Sequence, residues 1–119
     1  MSYDTSNIFA KILRGEIPCK KVYEDEFAFA FHDIAPEAPV HVLVIPKGEY
    51  VSFNDFAQHA PADFMRGYFA SIQKIVAELG VDKTGYRLIT NHGADASQTV
   101  HHFHVHILAG KPLGVLIHK

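Results

Sequence analysis

Large apolar residues alternate with small or polar ones along two neighbouring stretches of the chain, which is the pattern of half-buried β-strands. In residues 27–32 this alternation puts three aromatic side chains on one face. Residues 40–45 are rich in β-branched side chains and are followed at once by Pro46, a natural stop. We predict two antiparallel strands joined by a turn over residues 33–39, which contains two prolines.

Two other stretches carry apolar residues every three to four positions, as on one face of an α-helix. Residues 61–79 are predicted to form the main helix, with Gly80 as its stop, and residues 6–15 a short one. The broad apolar face of the main helix is explained about equally well by burial in its own core and by a second subunit that docks there. The other predicted elements are strands at 22–24, 86–91 and 99–108, a polar loop at 92–98 and an irregular tail at 112–119.

Strands and helices are segregated rather than alternating as β-α-β units, so the predicted fold class is α+β with an antiparallel sheet, in a single domain over residues 1–119. Of the 119 residues 48% are hydrophobic, which is ample for a packed core. The net charge of −2 excludes the basic surface that a nucleic-acid polymer needs, although a mononucleotide could bind locally. The single cysteine, Cys19, excludes an internal disulfide. Because there is no apolar run of about 18 residues and no secretion signal, we expect a cytoplasmic protein that does not enter a membrane.

The candidate chemistry lies in residues 99–108, where His102, His104 and His106 occupy alternating positions. On a strand these three side chains share one face at intervals of about 6.6 Å, and the apolar residues between them face the core. Histidine carries out proton transfer, nucleophilic attack on phosphorus and metal ligation. Three interpretations follow: a solvated strand face, a metal site and a nucleophilic site.

An incidental run on a solvated face is improbable, since histidine accounts for only nine of the 119 residues. A zinc site would need two of the three histidines plus His41 or a carboxylate, because the Cα atoms of His102 and His106 are about 13 Å apart on a strand. Attack at phosphorus needs a neutral imidazole flanked by hydrogen-bond donors, and closely spaced imidazoles resist multiple protonation. His104, with a neighbour on either side, is the natural nucleophile.

Residues 102–108 match the His-φ-His-φ-His-φ-φ signature of the histidine triad (HIT) nucleotide-binding superfamily, in which φ is an apolar residue. Further segments resemble the branch called histidine triad nucleotide-binding proteins, and the last of them resembles its bacterial form. These segments are residues 9–12, 15–18, 30–36, 38–41, 44–47, 86–91 with the spacing to Thr99, and 110–114. The resemblance therefore covers nearly the whole chain, in order and in spacing.

The resemblance implies a HIT-like fold, with a five-stranded antiparallel sheet, one long and one short helix, and assembly as a homodimer. It implies a hydrolase that cleaves the P–N bond of purine nucleoside 5′-phosphoramidates, such as adenosine phosphoramidate and aminoacyl or lysyl adenylates. On that pattern His104 attacks the α-phosphorus and forms a covalent nucleotidyl intermediate, from which water releases AMP or GMP. His106 donates to the phosphoryl oxygens, with His102 and His41 in support. Thr99 gives a proton to the departing amine, and no metal or other cofactor is required.

The resemblance also implies a nucleotide pocket, in which Asp33 accepts both ribose hydroxyls. The residues implied at the base are Phe9, Ile12, Phe31, Ile34 and Leu43, and those implied at the phosphate are Asn91, Ser97, Gln98 and Thr99, with His104 and His106. The chain departs from the family at Ala96 and Ser97, where relatives commonly have two glycines. If the loop needs a positive φ there, Ala96 is expected to be strained. A dinucleoside polyphosphate hydrolase and a nucleotide-binding regulator are the competing functions.

Overall fold

The computed structural model describes residues 2–117 of the chain. Within this range the helices and strands are α1 (Ile8–Leu13), β1 (Lys21–Glu24), β2 (Ala28–His32), β3 (Val40–Pro46), α2 (Phe53–His59), α3 (Ala62–Glu78), β4 (Tyr86–Ile89) and β5 (Val105–Ala109). The strands form one antiparallel sheet in the order β1-β2-β3-β5-β4, with β3 at its centre. The predicted α+β class and the five-stranded antiparallel sheet are confirmed.

The period-two pattern of the sequence sorts the side chains of the sheet onto two faces. On β3, Val42 and Val44 belong to the core that α2 and α3 cover, whereas Leu43 and Ile45 belong to a smaller cluster beside α1. The ring of Tyr68, on α3, is fully buried in the larger core, and its hydroxyl donates to the carbonyl of Val44 at 2.8 Å. The second face buries less apolar surface and is the one that carries the histidines.

The predicted strand over residues 99–108 is shorter in the structure, because pairing begins only at Val105. Of the triad, His106 lies on β5, and the other two histidines lie in the irregular segment before it. Continued antiparallel pairing with β3 would reach Pro46, which has no N–H to donate. The apolar positions of the run are buried in the larger core, as predicted: Phe103, Val105 and Ile107.

Helix α2 has no counterpart among the predicted elements, which included one long and one short helix. A helix of seven residues is too short to be stable by itself, so its sequence carries little signal. Tertiary contacts hold it in place. Phe56 stacks on Phe103 with ring centroids 4.7 Å apart, and the Asp55 carboxylate accepts the N–H of Val51 at 2.7 Å.

The two predicted helices correspond to α1 and α3, with ends displaced by a few residues. The tail is irregular from residue 112 to residue 117, and the last two residues of the predicted tail lie outside the described part of the chain. Across residues 2–117, none of the helices combines the length and the apolar character needed to span a membrane.

Candidate active site

The second face of the sheet carries the candidate site, between the smaller apolar cluster and the histidines. Antiparallel register sets Phe31, Leu43 and His106 side by side across β2, β3 and β5. Phe9, on α1, joins the same cluster, and its ring meets the ring of His104 edge-on at a centroid distance of 4.9 Å. The rings of His104 and His106 are 5.1 Å apart. The structure therefore brings the predicted nucleophile and its neighbour together with four of the five predicted base-binding residues: Phe9, Ile12, Phe31 and Leu43.

A hydrogen bond to the backbone fixes the tautomer of His104. Its Nδ1 lies 2.7 Å from the carbonyl oxygen of His102, and because a carbonyl only accepts, Nδ1 must carry the proton. Nε2 of the neutral ring then has a free lone pair. Burial lowers the pKa of His104 below its ordinary value, against the raising effects of the His102 carbonyl and of the Asp33 charge. The ring is therefore available as a neutral nucleophile at neutral pH.

A second chain of hydrogen bonds fixes the tautomer of His106. The N–H of Glu37 donates to Nδ1 of His41 at 3.1 Å, so the proton of the neutral His41 ring is on Nε2. That Nε2 is 2.9 Å from Nδ1 of His106 and donates to it. Nε2 of His106 consequently carries a proton and is a hydrogen-bond donor for a ligand. We call this chain, from Glu37 through His41 to His106, the His41 relay.

The same region also has the spacing of a metal site, since ligand atoms of Asp33, His41 and His106 lie within 4.8 Å of one another. The tautomer of His41 disfavours that use. A metal ligand must offer a lone pair, but Nε2 of His41 carries a proton as long as Glu37 donates to Nδ1. One oxygen of the Asp33 carboxylate is 3.5 Å from the same Nε2. The arrangement therefore favours hydrogen bonding to a ligand over metal ligation.

His102 is the most enclosed member of the triad, with 1% of its surface exposed. Its Nε2 donates to the carbonyl of Pro46 at 3.1 Å, and its Nδ1 accepts from the hydroxyl of Tyr3 at 2.5 Å. Burial lowers the pKa of His102 to about 4, so the ring is neutral. Since both ring nitrogens are satisfied inside the protein, His102 supports the site by position rather than by reaching a ligand.

The buried histidines make the stability of the fold depend on pH. Burial, and after it the neighbouring rings of His104 and His41, lowers the pKa of His106 to about 4, as burial does for His102. In the unfolded chain these groups titrate near 6.5. Because the unfolded chain binds protons that the folded protein excludes, the free energy of unfolding is expected to fall as the pH drops from about 6.5 to about 4, by about 3 kcal/mol for His102 and by less for His106, which solvent partly screens.

Urea unfolding at several pH values measures this dependence. The His106→Asn variant has one such group fewer and should show a shallower loss of stability over the same window. A free energy of unfolding that stays constant between pH 6.5 and pH 4 would contradict the neutral state of these rings.

An open pocket of about 760 Å³ adjoins the turn between β2 and β3, which is large enough for a nucleoside. Its lining residues are Pro18, Cys19, Lys20, His32, Asp33, Ile34, Pro36, Pro39 and His41. Of the predicted nucleotide-binding residues, Asp33 and Ile34 lie here, and Ile34 is 98% exposed on the turn. Sequence reasoning did not single out Cys19, Lys20 or His32, because nothing in the local pattern distinguishes them from ordinary surface positions.

The other predicted base-binding residues lie together in the smaller cluster, apart from the exposed Ile34. Phe9, Ile12, Phe31 and Leu43 are all buried there, and Cys19 packs against them. Cys19 therefore lies at the boundary between this cluster and the pocket.

The loop between β4 and β5 contains the predicted phosphate-binding residues. Asn91 is half-buried just after β4, while Ser97 and Thr99 are exposed. The expected backbone strain lies at Ser97 and not at Ala96, which is part of a short 3₁₀ turn: Ser97 has φ 60° and ψ 41°, in the left-handed region. A serine in this conformation costs roughly 1–2 kcal/mol, which a glycine would avoid. The expectation of strain in this loop was therefore correct, but its position was wrong by one residue.

The side chain of Gln98 stabilises the loop between β4 and β5 through hydrogen bonds. Its side-chain carbonyl accepts the N–H of Gly93 at 3.0 Å, and its amide nitrogen donates to the carbonyls of Val51 at 2.8 Å and Val100 at 3.2 Å. These contacts use the side chain that the resemblance assigned to the phosphate. Any contact of Gln98 with a phosphate would therefore come from its backbone.

Thr90 is a site residue that sequence reasoning missed. Its hydroxyl donates to the carbonyl of His104 at 2.7 Å, so the backbone on both sides of the nucleophile is held: by Thr90 on one side and by the hydrogen bond of the His104 ring to His102 on the other. A threonine at the end of a strand is ordinary in sequence. No pattern could have assigned it this contact.

Comparison with known proteins agrees with this geometry. Residues 14–113 match the family model described as the HIT domain. The chain is 51% identical over 118 residues to an uncharacterized 13.2 kDa HIT-like protein of Azospirillum brasilense, covering 99% of this chain and 97% of that protein. It is 43% identical over 114 residues to the purine nucleoside phosphoramidase of Escherichia coli strain K12, covering 94% of each.

Solved structures give the same result. A histidine triad protein from Clostridium difficile superposes with a TM-score of 0.87 at 46% identity, covering 96% of this chain and 98% of that one. A HIT family hydrolase from Clostridium thermocellum superposes with a TM-score of 0.86 at 40% identity, covering 94% and 96%. Sequence, fold and site geometry thus agree, and the chain belongs to the HIT domain family.

Proposed function

We propose that the protein is a hydrolase that cleaves the P–N bond of purine nucleoside 5′-phosphoramidates through a covalent nucleotidyl intermediate on His104, releasing AMP or GMP. The observation that carries this proposal is the hydrogen bond from Nδ1 of His104 to the His102 carbonyl, which leaves Nε2 unprotonated beside a second neutral imidazole. The 43% identical relative named purine nucleoside phosphoramidase supports the choice of substrate.

The reaction has two displacements at phosphorus. In the first, the lone pair of His104 Nε2 forms a bond to the α-phosphorus while the P–N bond breaks, and the departing nitrogen keeps that electron pair. An amine anion is a poor leaving group, so the nitrogen needs a proton, which the Thr99 hydroxyl supplies. In the second, water attacks the same phosphorus and returns a proton to the Thr99 oxygen, while the P–N bond to His104 breaks and its ring leaves as neutral imidazole.

Charge on the phosphoryl oxygens is stabilised by fixed donors. Nε2–H of His106 donates to one oxygen, and the His41 relay keeps that proton in place. Backbone N–H groups of the loop that contains Ser97, and the Asn91 side chain, are assigned to the others. Because these donors are preset by internal hydrogen bonds, little reorganisation is needed during the reaction.

The nucleoside is assigned to the turn between β2 and β3 and to the smaller apolar cluster. We assign the Asp33 carboxylate to the two ribose hydroxyls. One of its oxygens accepts the N–H of Ala35 at 2.8 Å, which fixes its orientation. The purine is placed against the smaller apolar cluster, with exposed Ile34 covering it from the turn. Ile34 gains burial only when a ligand is present, which gives an apolar contribution to binding.

The substrate assignment is tested by comparing two ligands under identical conditions with EDTA present. We expect kcat/KM for adenosine 5′-phosphoramidate to exceed kcat/KM for diadenosine polyphosphates. A clear preference for the diadenosine compounds would make the protein a dinucleoside polyphosphate hydrolase instead. Tight AMP binding without turnover of either compound would make it a nucleotide-binding protein, and loss of activity in EDTA would restore the metal interpretation.

We also propose that the chain forms a homodimer through β4 and the adjoining face of α3. Within residues 2–117, β4 lies at the edge of the sheet and pairs with β5 on one side, which leaves the other side of its backbone able to pair. Large side chains around it are between 42% and 45% exposed: Phe53, Phe69, Tyr86 and Leu88. Two hollows that share Phe69, of about 160 and 780 Å³, continue this surface along α3. An apolar surface next to a free strand edge fits a second copy of itself.

Sedimentation at micromolar concentration is expected to give a species of twice the chain mass of 13.3 kDa. A charge in the interface should separate the subunits, so Leu88→Arg should sediment as a monomer while the matched Leu88→Met variant stays dimeric. A wild-type monomer would leave the apolar face of α3 explained by the core of its own chain.

A further inference from the structure

Tyr3 lies in the segment before α1, far in sequence from the triad, and contacts His102. Its ring meets the His102 ring edge-on at a centroid distance of 5.5 Å, and its hydroxyl is 2.5 Å from His102 Nδ1. In sequence the two residues are 99 positions apart. The contact therefore depends on how the N-terminal segment is anchored.

That segment is tied to α1 by several hydrogen bonds. The side chain of Asn7 caps the helix by accepting the N–H of Ala10 at 2.9 Å, and it also donates to the carbonyl of Asp4 at 2.8 Å. Arg14, at the other end of α1, donates to the carbonyl of Thr5 at 2.8 Å. The turn before the helix is thus fixed to it, which places Tyr3 over the triad.

The direction of the hydrogen bond between Tyr3 and His102 follows from the other side of the ring. The carbonyl of Pro46 can only accept, so Nε2 of His102 carries the proton and Nδ1 offers a lone pair. The Tyr3 hydroxyl is therefore the donor. Burial raises the pKa of Tyr3 above its ordinary value, so the hydroxyl keeps its proton at neutral pH.

We propose that Tyr3 is a positioning residue of the active site, which locks the ring of His102 and so holds the His102 carbonyl that orients the nucleophile. The ring is held at both nitrogens, by Tyr3 and by Pro46, so it cannot rotate without breaking a buried hydrogen bond. The backbone of the same residue accepts the proton of His104 Nδ1 at 2.7 Å. A loosely held His102 would let the attacking nitrogen of His104 leave the line of attack. This role rests on the proposed function for its kinetic consequence only.

The test is the Tyr3→Phe variant, which keeps the ring and removes the hydroxyl. We expect kcat for adenosine 5′-phosphoramidate to fall roughly three- to tenfold, the range for loss of one net hydrogen bond, with KM changed less than twofold. The ¹⁵N resonance of His102 Nδ1 should move toward the value of an imidazole nitrogen that accepts no hydrogen bond. Tyr23→Phe is the matched control: it removes a hydroxyl that donates to Asp25 at 2.9 Å, on a strand away from the triad, and should change neither quantity.

The spectroscopic measurement needs no substrate, so it separates this proposal from the proposed function. A shifted His102 resonance together with a lower kcat supports the positioning role. A shifted resonance with wild-type kcat overturns it, and so does an unshifted resonance. If wild type releases no AMP at all, the proposed function fails, and the resonance alone decides whether Tyr3 holds His102.

Discussion

Replacing His104 with alanine is expected to reduce AMP release by on the order of 10⁴-fold or more while AMP still binds. Alanine removes the one imidazole nitrogen of the triad that carries a free lone pair. Nε2 of His102 carries the proton that it donates to the Pro46 carbonyl, and Nε2 of His106 carries a proton because Nδ1 accepts from His41. Neither neighbour can take over the attack without a change of tautomer. The apolar cluster and Asp33 are untouched by the substitution, so the nucleoside keeps its contacts.

The matched control is His59→Ala, which removes an exposed histidine of α2 that pairs with Asp55. This variant should retain wild-type turnover. Calorimetric titration with AMP measures binding in both variants. Loss of AMP binding in the His104→Ala protein would mean that the residue is structural, and turnover near the wild-type level would exclude it as the nucleophile.

Replacing His106 with alanine is expected to lower kcat by about 10²- to 10³-fold, the range for loss of one preset donor to a developing oxyanion. The nucleophile remains, so the effect should be smaller than that of His104→Ala. Because the donor strengthens in the transition state, KM should change little. Steady-state kinetics of both variants on one substrate give this comparison.

The His41 relay leads to a further expectation for the activity of a double variant. Since His41 acts on the phosphate only through His106, the double variant His41→Ala/His106→Ala should be about as active as His106→Ala alone. If the loss of activity in the double variant equals the product of the losses in the two single variants, His41 contributes separately from His106. It could do so through Asp33, whose carboxylate is 3.5 Å from Nε2 of His41. A loss in His106→Ala as large as that in His104→Ala would instead assign the attack to His106.

The strands of the sheet were predictable where alternation was strong. Successive residues of β3 alternate between the two apolar clusters, so the sequence spacing alone places Val42 and Leu43 on opposite faces of the sheet. The start of β5 was not predictable from its own residues. Pairing between β5 and β3 ends where continued pairing would reach Pro46. The alternation of apolar residues and histidines nevertheless continues N-terminal to Val105, so it does not mark the start of the strand. Helix α2 depends in the same way on a distant partner, since Phe56 stacks on Phe103.

The candidate site was also predictable only in part. The identities of His104, His106 and Asp33 follow from the triad motif and the resemblance that it carries. Their tautomers do not, because the groups that fix them are the backbone carbonyl of His102 and the backbone N–H of Glu37. Backbone groups are the same at every position, so sequence cannot indicate which of them will meet a side chain. The two missing glycines predict backbone strain in the loop between β4 and β5, but only the folded backbone places it at Ser97.

The measurement that tests the central claim most directly is the mass of the intact protein, quenched in alkali within milliseconds of mixing with adenosine 5′-phosphoramidate. We predict a transient adduct of one adenylyl group on the wild-type chain, which proteolysis locates on the peptide that contains His104. The His104→Ala variant should form none, and His59→Ala should form it normally. Turnover without any adduct, or an adduct on another residue, would contradict nucleophilic catalysis by His104.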